Sequence, residues 1–488
     1  MTASHLNAHE SRWKQIGRVV ACLGLAGVSA CAAQAGIEPP PPPPPPPGVC
    51  SVSTAPLAAS DATVTIDVSR TYQIVQGFGT SEHLFDDPHI TNTFDPATQR
   101  AAVVIPASAQ AAILKALYTD IGLTRVRYAT ENGVEPVNDN ADPTVTDPAK
   151  FNFAWKLLDG HAAFVQSVRP LGVTTWYGAP IYPETWMSRT DPAEYAEWAL
   201  ASLRRWRDLG QTMPYWSISN EPGWQGGGTT MSGAFLRDAI KIIGPKLAAE
   251  GIATRLVIPD DVNPTESFNR AQVVLADPIA RSYVAAVAFH LYDAAYPPVQ
   301  PNFTGLSALA GLAAQNALPL WMSEWYTTDW FTLATTMHTL LNDYSVSAID
   351  YAWGFFGAWD LAQLISIQSS GNVYTGFIPR KQYYVMGQYS ANVRPGTPRV
   401  AASVASDPAV RVSAYFDGTR VVLVALNTGP AARSVRFELG QNIPCVRTVH
   451  ATRTSAAENG APLPDLGLAA PHFVTSLPAM SITTLIAQ

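Results

Sequence analysis

From Ile74 onward the chain repeats one unit eight times: a short run rich in β-branched or aromatic residues, followed by a stretch with apolar residues at helical spacing. The runs are Ile74 to Phe78, Thr124 to Tyr128, Val173 to Tyr177, Tyr215 to Ser219, Arg255 to Ile258, Val284 to Phe289, Leu320 to Ser323 and Ile349 to Trp353. Strands joined through helices run parallel, and eight of them close into a (β/α)8 TIM barrel, an α/β fold placed here over residues 73–395. The clearest helix begins at Asp191, with Pro192 at the first helical position and Glu194 placed to complete a capping box. Its apolar face reads Tyr195, Trp198, Leu203, Trp206 and Leu209, and Gly210 ends it.

After Pro395 the rhythm changes to alternating strands, Val410 to Phe416 and Arg420 to Leu426 around an Asp417-Gly418 turn. The tail over residues 396–488 therefore reads as an accessory antiparallel β-sandwich. It is completed by a strand from Thr63 to Val68 within residues 61–72, so that both chain ends build it.

Residues 1–31 read as a signal peptide with a lipobox. Arg12, Lys14 and Arg18 precede an apolar run from Val19 to Ala30 that is too short to span a bilayer permanently. Val28-Ser29-Ala30-Cys31 resembles a bacterial lipobox with Cys31 as the lipidated residue, the alternative being an ordinary cleavage site near Ala33 or Ala35. An exported chain is expected, held at an outer membrane or cell surface, or else secreted or periplasmic. Residues 32–60 form a linker whose prolines, unbroken from Pro39 to Pro47, favour an extended polyproline rod. Of the four cysteines, Cys22 lies in the signal and Cys31 at the lipobox. Cys50 and Cys445 remain, and in an oxidising compartment they are expected to form a disulfide.

The net charge is −7, with no basic run outside the N-terminus, which argues against a nucleic-acid partner. A neutral substrate and a monomer are expected. Aromatic residues make up 10% of the chain, 13 of them Trp; some will fill the core and others suit sugar stacking.

In a parallel barrel the active site lies at the C-terminal ends of the strands. Two carboxylates meet that condition. Trp216-Ser217-Ile218-Ser219-Asn220-Glu221-Pro222 ends the fourth barrel strand at Glu221, and Trp321-Met322-Ser323-Glu324-Trp325-Tyr326 ends the seventh at Glu324. Glycoside cleavage with retention needs two carboxyls about 5–5.5 Å apart, one to deliver a proton and one to attack the anomeric carbon. Glu221 is the candidate acid/base and Glu324 the candidate nucleophile, with Arg127, at the end of the second strand, as the cation beside Glu324. In isolation Asn-Glu-Pro is a common turn, and Arg127 and His290 have plainer readings as a lining ion pair and a core histidine. No zinc-ligand spacing and no phosphate-binding glycine loop occurs, so neither metal nor cofactor is implied.

Asn-Glu-Pro after the fourth strand together with a Glu ending the seventh resembles the clan A retaining glycoside hydrolases, and within them glycoside hydrolase family 30. Gln76-Gly77-Phe78-Gly79, Trp186-Met187 and the run from Tyr384 to Gly396 carry the likeness, which extends from about Asp61 to the C-terminus. The resemblance implies that Asn220 holds the sugar 2-hydroxyl and that His290 and Tyr292 orient carboxylates or substrate. It also implies that Trp353 floors the subsite of the cleaved sugar, with Trp176, Tyr177, Trp325 and Tyr326 as further platforms. The xylan-active branch is the most similar, implying an endo-β-1,4-xylanase acting on a xylan-like polysaccharide. That branch reads glucuronate with an Arg after the eighth strand, yet no Arg or Lys lies between Trp353 and Pro379. A β-1,6-glucanase, a glucosylceramidase-like β-glucosidase, an inverting hydrolase and a non-catalytic polysaccharide-binding lipoprotein are the alternatives.

Overall fold

The structure, a computed structural model, describes residues 59–488 except 225–229, 294–299, 441–442, 444–445 and 468–470. The signal segment, Cys22, Cys31, the proline run, Cys50 and Cys445 lie outside the described residues. Among those described, no helix is long and apolar enough to cross a membrane.

The chain enters through β1 (Ala62–Ile74) and then forms eight strands: β2 (Gly77–Glu82), β3 (Arg125–Thr130), β4 (Thr175–Pro180), β5 (Tyr215–Ser217), β6 (Arg255–Asp261), β7 (Val284–His290), β8 (Leu320–Glu324) and β9 (Ala348–Ala352). They pair in parallel in that order and close where β2 meets β9, with Gly77 opposite Ala348. Ile74 belongs to β1, so the first barrel strand starts three residues later than its hydrophobic run suggests. Its second half, Thr80-Ser81-Glu82, is polar but buried, because it ends inside the barrel mouth. Gly79 is dictated by its neighbours: a Cβ there would stand 2.4 Å from Asp350 Oδ1.

The helix after β4 runs Ala193–Asp208, so its first helical residue is Ala193, one residue later than the Pro192 that the sequence suggests. Asp191 accepts from the Ala193 amide at 3.1 Å, but Pro192 occupies the cap position, no side chain caps the turn and the expected box with Glu194 does not form. Leu209 falls just past the helix end. The apolar face is as expected otherwise, with Tyr195, Trp198, Leu203 and Trp206 buried. Burying each large side chain contributes about 1.5–3 kcal/mol. Tyr195 Oη also donates to the Ile218 carbonyl, which braces the segment leading to Glu221.

A three-stranded insert follows β9: β10 (Phe355–Gly357), β11 (Ile365–Ser370) and β12 (Val373–Pro379). It then gives way to the helix Lys381–Ser390, the last of the barrel. The side domain adds β13 (Pro398–Ala405), β14 (Val410–Phe416), β15 (Val421–Asn427), β16 (Arg433–Leu439), β17 (Thr448–Thr454), β18 (Ala461–Gly467), β19 (His472–Leu477) and β20 (Ser481–Ala487). With β1 these form one continuous nine-stranded sheet, ordered β18-β17-β20-β15-β14-β13-β1-β16-β19. The pairings are antiparallel except β1 with β16. Val64, Leu423, Phe437, Val449 and Phe473 share one core, so strands near both edges pack against the same interior. Gln388 on the last barrel helix fastens the two parts, its Oε1 accepting from the Thr484 amide at 3.1 Å and its carbonyl from Thr484 Oγ1 at 2.6 Å.

Candidate active site

The strand ends bring together the polar residues that the sequence places there. Arg127 lies on β3, Asn220 and Glu221 follow β5, Asp260 and Asp261 end β6, His290 ends β7 and Glu324 ends β8. A carboxylate oxygen of Glu221, one of Glu324 and a ring nitrogen of His290 lie within 4.8 Å of one another. This separation is that of a double-displacement pair, well short of the roughly 6.5–9.5 Å that leaves room for an attacking water between carboxyls.

Each carboxylate has its own support. Arg127 Nη1 donates to Glu324 Oε2 at 2.5 Å and Tyr292 Oη donates to Glu324 Oε1 at 3.1 Å. His290 Nδ1 stands 2.9 Å from Glu221 Oε1. Burial opposes a charge on His290, but Glu324, Asp260 and Glu221 outweigh it and raise the imidazole to about 10. It is therefore an imidazolium at neutral pH and donates to Glu221. In that form both ring nitrogens carry hydrogens, Nδ1 facing Glu221 Oε1 and Nε2 facing Asp260 Oδ1. The same protonation contributes stability that is complete below the unfolded-state value near 6.5 and lost as pH rises through about 10.

Asp260 joins the two halves. Its Oδ2 lies 3.1 Å from Arg127 Nη2, its Oδ1 is 3.3 Å from His290 Nε2 and accepts from Ser323 Oγ, and its carbonyl accepts from the Glu221 amide at 2.8 Å. Burial would raise its carboxyl, yet Arg127 and His290 hold it well below the usual carboxylate range. Glu221 and Asp260 both adopt left-handed backbone, with φ of 46° and 61°. Such a conformation costs a side-chain-bearing residue of order 1–3 kcal/mol and persists only where the surroundings hold it. Here the Glu221-to-Asp260 bond and the Asp260 network do so. Asp260→Asn removes one of the anions that keep His290 charged, so the alkaline limb of kcat/KM should move to lower pH. A pH profile unchanged from the parent protein would contradict the hub role.

Asn220 accepts from Arg127 Nη2 through Oδ1, which orients its amide nitrogen toward the cleft that it lines. That cleft has a volume of about 300 Å³. Tyr182 and Trp224 border it from the ends of β4 and β5, and Trp353 and Phe356 from beyond β9, across the ring. Trp353 packs on His83 at 4.6 Å between ring centroids and stacks on Phe356 at 5.6 Å.

The other expected platforms do not face the cleft. Trp176 sits near the start of β4, its Nε1 donating to the Thr212 carbonyl at 3.1 Å. Tyr177 is wholly buried and donates to Asp350 at 2.9 Å. Trp325 is fully buried, and Tyr326 packs edge-on behind Tyr292 at 5.8 Å. Adjacent aromatics in sequence point to different surroundings, and only a register known to the residue would sort them. Asp260, Glu82, Tyr182 and Trp224 are residues that the sequence reading does not single out. Asp260-Asp261, one proline beyond the apolar run to Ile258, is the same pattern of a carboxylate just past a strand that marks Glu221 and Glu324, and it was the available signal.

No protein-family model matches the chain. Glucuronoxylanase XynC of Bacillus subtilis is 35% identical over 108 residues, a stretch that spans 22% of this chain and only 25% of that protein. An endoxylanase of glycoside hydrolase family 30 from Clostridium papyrosolvens aligns over 87% of this chain and 100% of its own, with a TM-score of 0.66 and 22% identity. Xylanase C of the same family from Talaromyces cellulolyticus aligns over 87% and 100%, with a TM-score of 0.69 and 20% identity. A closed parallel barrel with a side sheet drawn from both chain ends, superposing on these enzymes along their full lengths, has the fold of the family 30 glycoside hydrolases.

Proposed function

We propose that this protein is a retaining β-glycoside hydrolase of family 30, with Glu324 as nucleophile and Glu221 as acid/base. The observation that carries the reading is the approach of the Glu221 and Glu324 carboxylates to within 4.8 Å at the barrel mouth. Glu221 protonates the departing glycosidic oxygen while Glu324 attacks the anomeric carbon, giving a covalent glycosyl-enzyme; Glu221 then takes a proton from water, which releases the sugar from Glu324. His290 donates to Glu221 Oε1, so the mobile proton resides on the other oxygen. Arg127 and Tyr292 hold Glu324 aimed through one hydrogen bond to each carboxylate oxygen. The Asn220 amide donates to the sugar 2-hydroxyl, a bond that tightens as charge develops.

The substrate is a β-1,4-xylan cut internally. The glucuronoxylanase stretch and the two endoxylanase folds support this, as do aromatic side chains on both flanks of the cleft. Lacking Arg or Lys from 354 to 378, the enzyme needs no glucuronate branch. The chain is exported, lipidated at Cys31, closed by a Cys50 to Cys445 disulfide, and acts as a monomer. Proton NMR of the first product from a linear xylo-oligosaccharide tests the chemistry: a β-anomer is expected, and an α-anomer would replace double displacement by inversion. Cleavage of β-1,6-glucan without cleavage of xylan would overturn the substrate assignment.

A further inference from the structure

Glu82, at the end of β2, is 3% exposed and borders the cleft, yet no catalytic step above uses it. Its carboxyl is a wedge. On one side Oε1 accepts from Thr80 Oγ1 and from Tyr118 Oη, the latter at 2.9 Å. On the other it lies against Gly354: a Cβ at that position would stand 2.0 Å from Oε1 and 2.7 Å from Oε2. The Gly354 amide also donates to the Ser81 carbonyl at 3.3 Å, so β2 holds this backbone twice. Gly354 directly follows Trp353, and the indole has no other covalent route to the barrel than Ala352 and Gly354.

We propose that Glu82 is a positioning residue for the Trp353 platform, its carboxyl fixing the backbone on which the indole stands. The inference rests on reading the cleft as a glycosidase site. Burial drives the Glu82 carboxyl up to about 8, more than the bonds from Thr80, Tyr118 and the Phe355 amide can offset. Oε2 is buried with no hydrogen-bond partner among the described residues. Charged groups on the neighbouring elements are engaged elsewhere: Arg127 with Glu324 and Asp260, His83 with Asp87, and Arg125 with Asp350. Ionised Glu82 would thus press a buried anion with hydrogen-bond donors but no counter-charge against Gly354, and the backbone carrying Trp353 must shift to relieve it.

The test compares the parent protein with Glu82→Gln, Glu82→Ala and Trp353→Phe. The part of the tryptophan emission that Trp353→Phe removes should change with a midpoint near pH 8, and Glu82→Gln, isosteric but without a titrating proton, should abolish that change. On linear xylo-oligosaccharides Glu82→Ala should raise KM roughly 3- to 10-fold, the loss expected of a displaced aromatic contact, with a smaller effect on kcat. An emission change that persists in Glu82→Gln, or a Glu82→Ala variant with lowered Tm and unaltered KM, overturns the proposal. If the parent protein cleaves no glycoside but the emission behaves as stated, the glycosidase reading fails while the positioning role stands.

Discussion

Glu324→Gln should lower kcat on xylo-oligosaccharides by roughly 10⁴-fold or more while substrate affinity changes little. The amide cannot attack the anomeric carbon, so the covalent intermediate never forms. Folding should survive, because Arg127 keeps its contacts with Asp260 at 3.1 Å and with Asn220 after the carboxylate is gone. Azide added to Glu324→Ala sharpens the test: occupying the vacated space, it should restore turnover and yield a glycosyl azide of inverted configuration. A Glu324→Gln protein that binds xylo-oligosaccharides as the parent does, from a parent that never cleaved them, would identify a binding protein instead. A variant keeping more than about a tenth of the parental kcat would remove Glu324 from the nucleophile's role.

The two carboxylates were legible in the sequence because barrel geometry turns a local pattern into a location. A charged residue one to three positions past an apolar strand run falls at the mouth of the barrel. Arg127 carries no such mark: it lies third in β3, in the alternation Arg125-Val126-Arg127, rather than at the strand end where the sequence suggests it. What the sequence could not convey was which way each neighbouring aromatic side chain faces. Trp176 and Trp353 occupy similar sequence contexts, yet Trp176 stands at the start of its strand and Trp353 just past the end of its own. Strand limits read from hydrophobicity drift by two or three residues, and a shift of one residue moves a side chain to the opposite face. Glu82 escaped notice because Thr80-Ser81-Glu82 is polar and so reads as loop, whereas the barrel buries it by surrounding it with Tyr118, Gly354 and Phe355. The side domain illustrates the reverse case. The β14 and β15 hairpin was visible from its turn, since Asp417 Oδ1 accepts from the Thr419 and Arg420 amides at 3.0 and 2.8 Å. The parallel pairing of β1 with β16 joins segments almost four hundred residues apart and leaves no local mark.

Asp350→Ala should destabilise the barrel by about 3–5 kcal/mol, a large part of the roughly 5–15 kcal/mol that holds a typical domain folded. Arg125 and Arg127 are two apart on β3, so both point into the barrel, Arg127 at the catalytic layer and Arg125 one layer beneath. There Arg125 grips Asp350 on β9 through paired bonds of 2.9 Å, Nε to Oδ1 and Nη2 to Oδ2, with the two side chains 1% and 0% exposed. Tyr177 donates to the same carboxylate at 2.9 Å, and the guanidinium lies over Trp321 at 4.2 Å. Deleting the carboxylate leaves a guanidinium in the barrel interior without its counter-charge and a phenol without its acceptor; it is the abandoned charge that makes the loss large. Replacing both partners by Leu and Met should therefore cost less than Asp350→Ala alone, which urea unfolding of the two single variants and the double variant would measure. Because the pair lies below the mouth, kcat of the folded fraction at low temperature should stay within a few-fold of the parent. A single variant unfolding within about 1 kcal/mol of the parent would mean that water or a neighbouring group compensates Arg125, and the buried pair would then be a minor element of the fold.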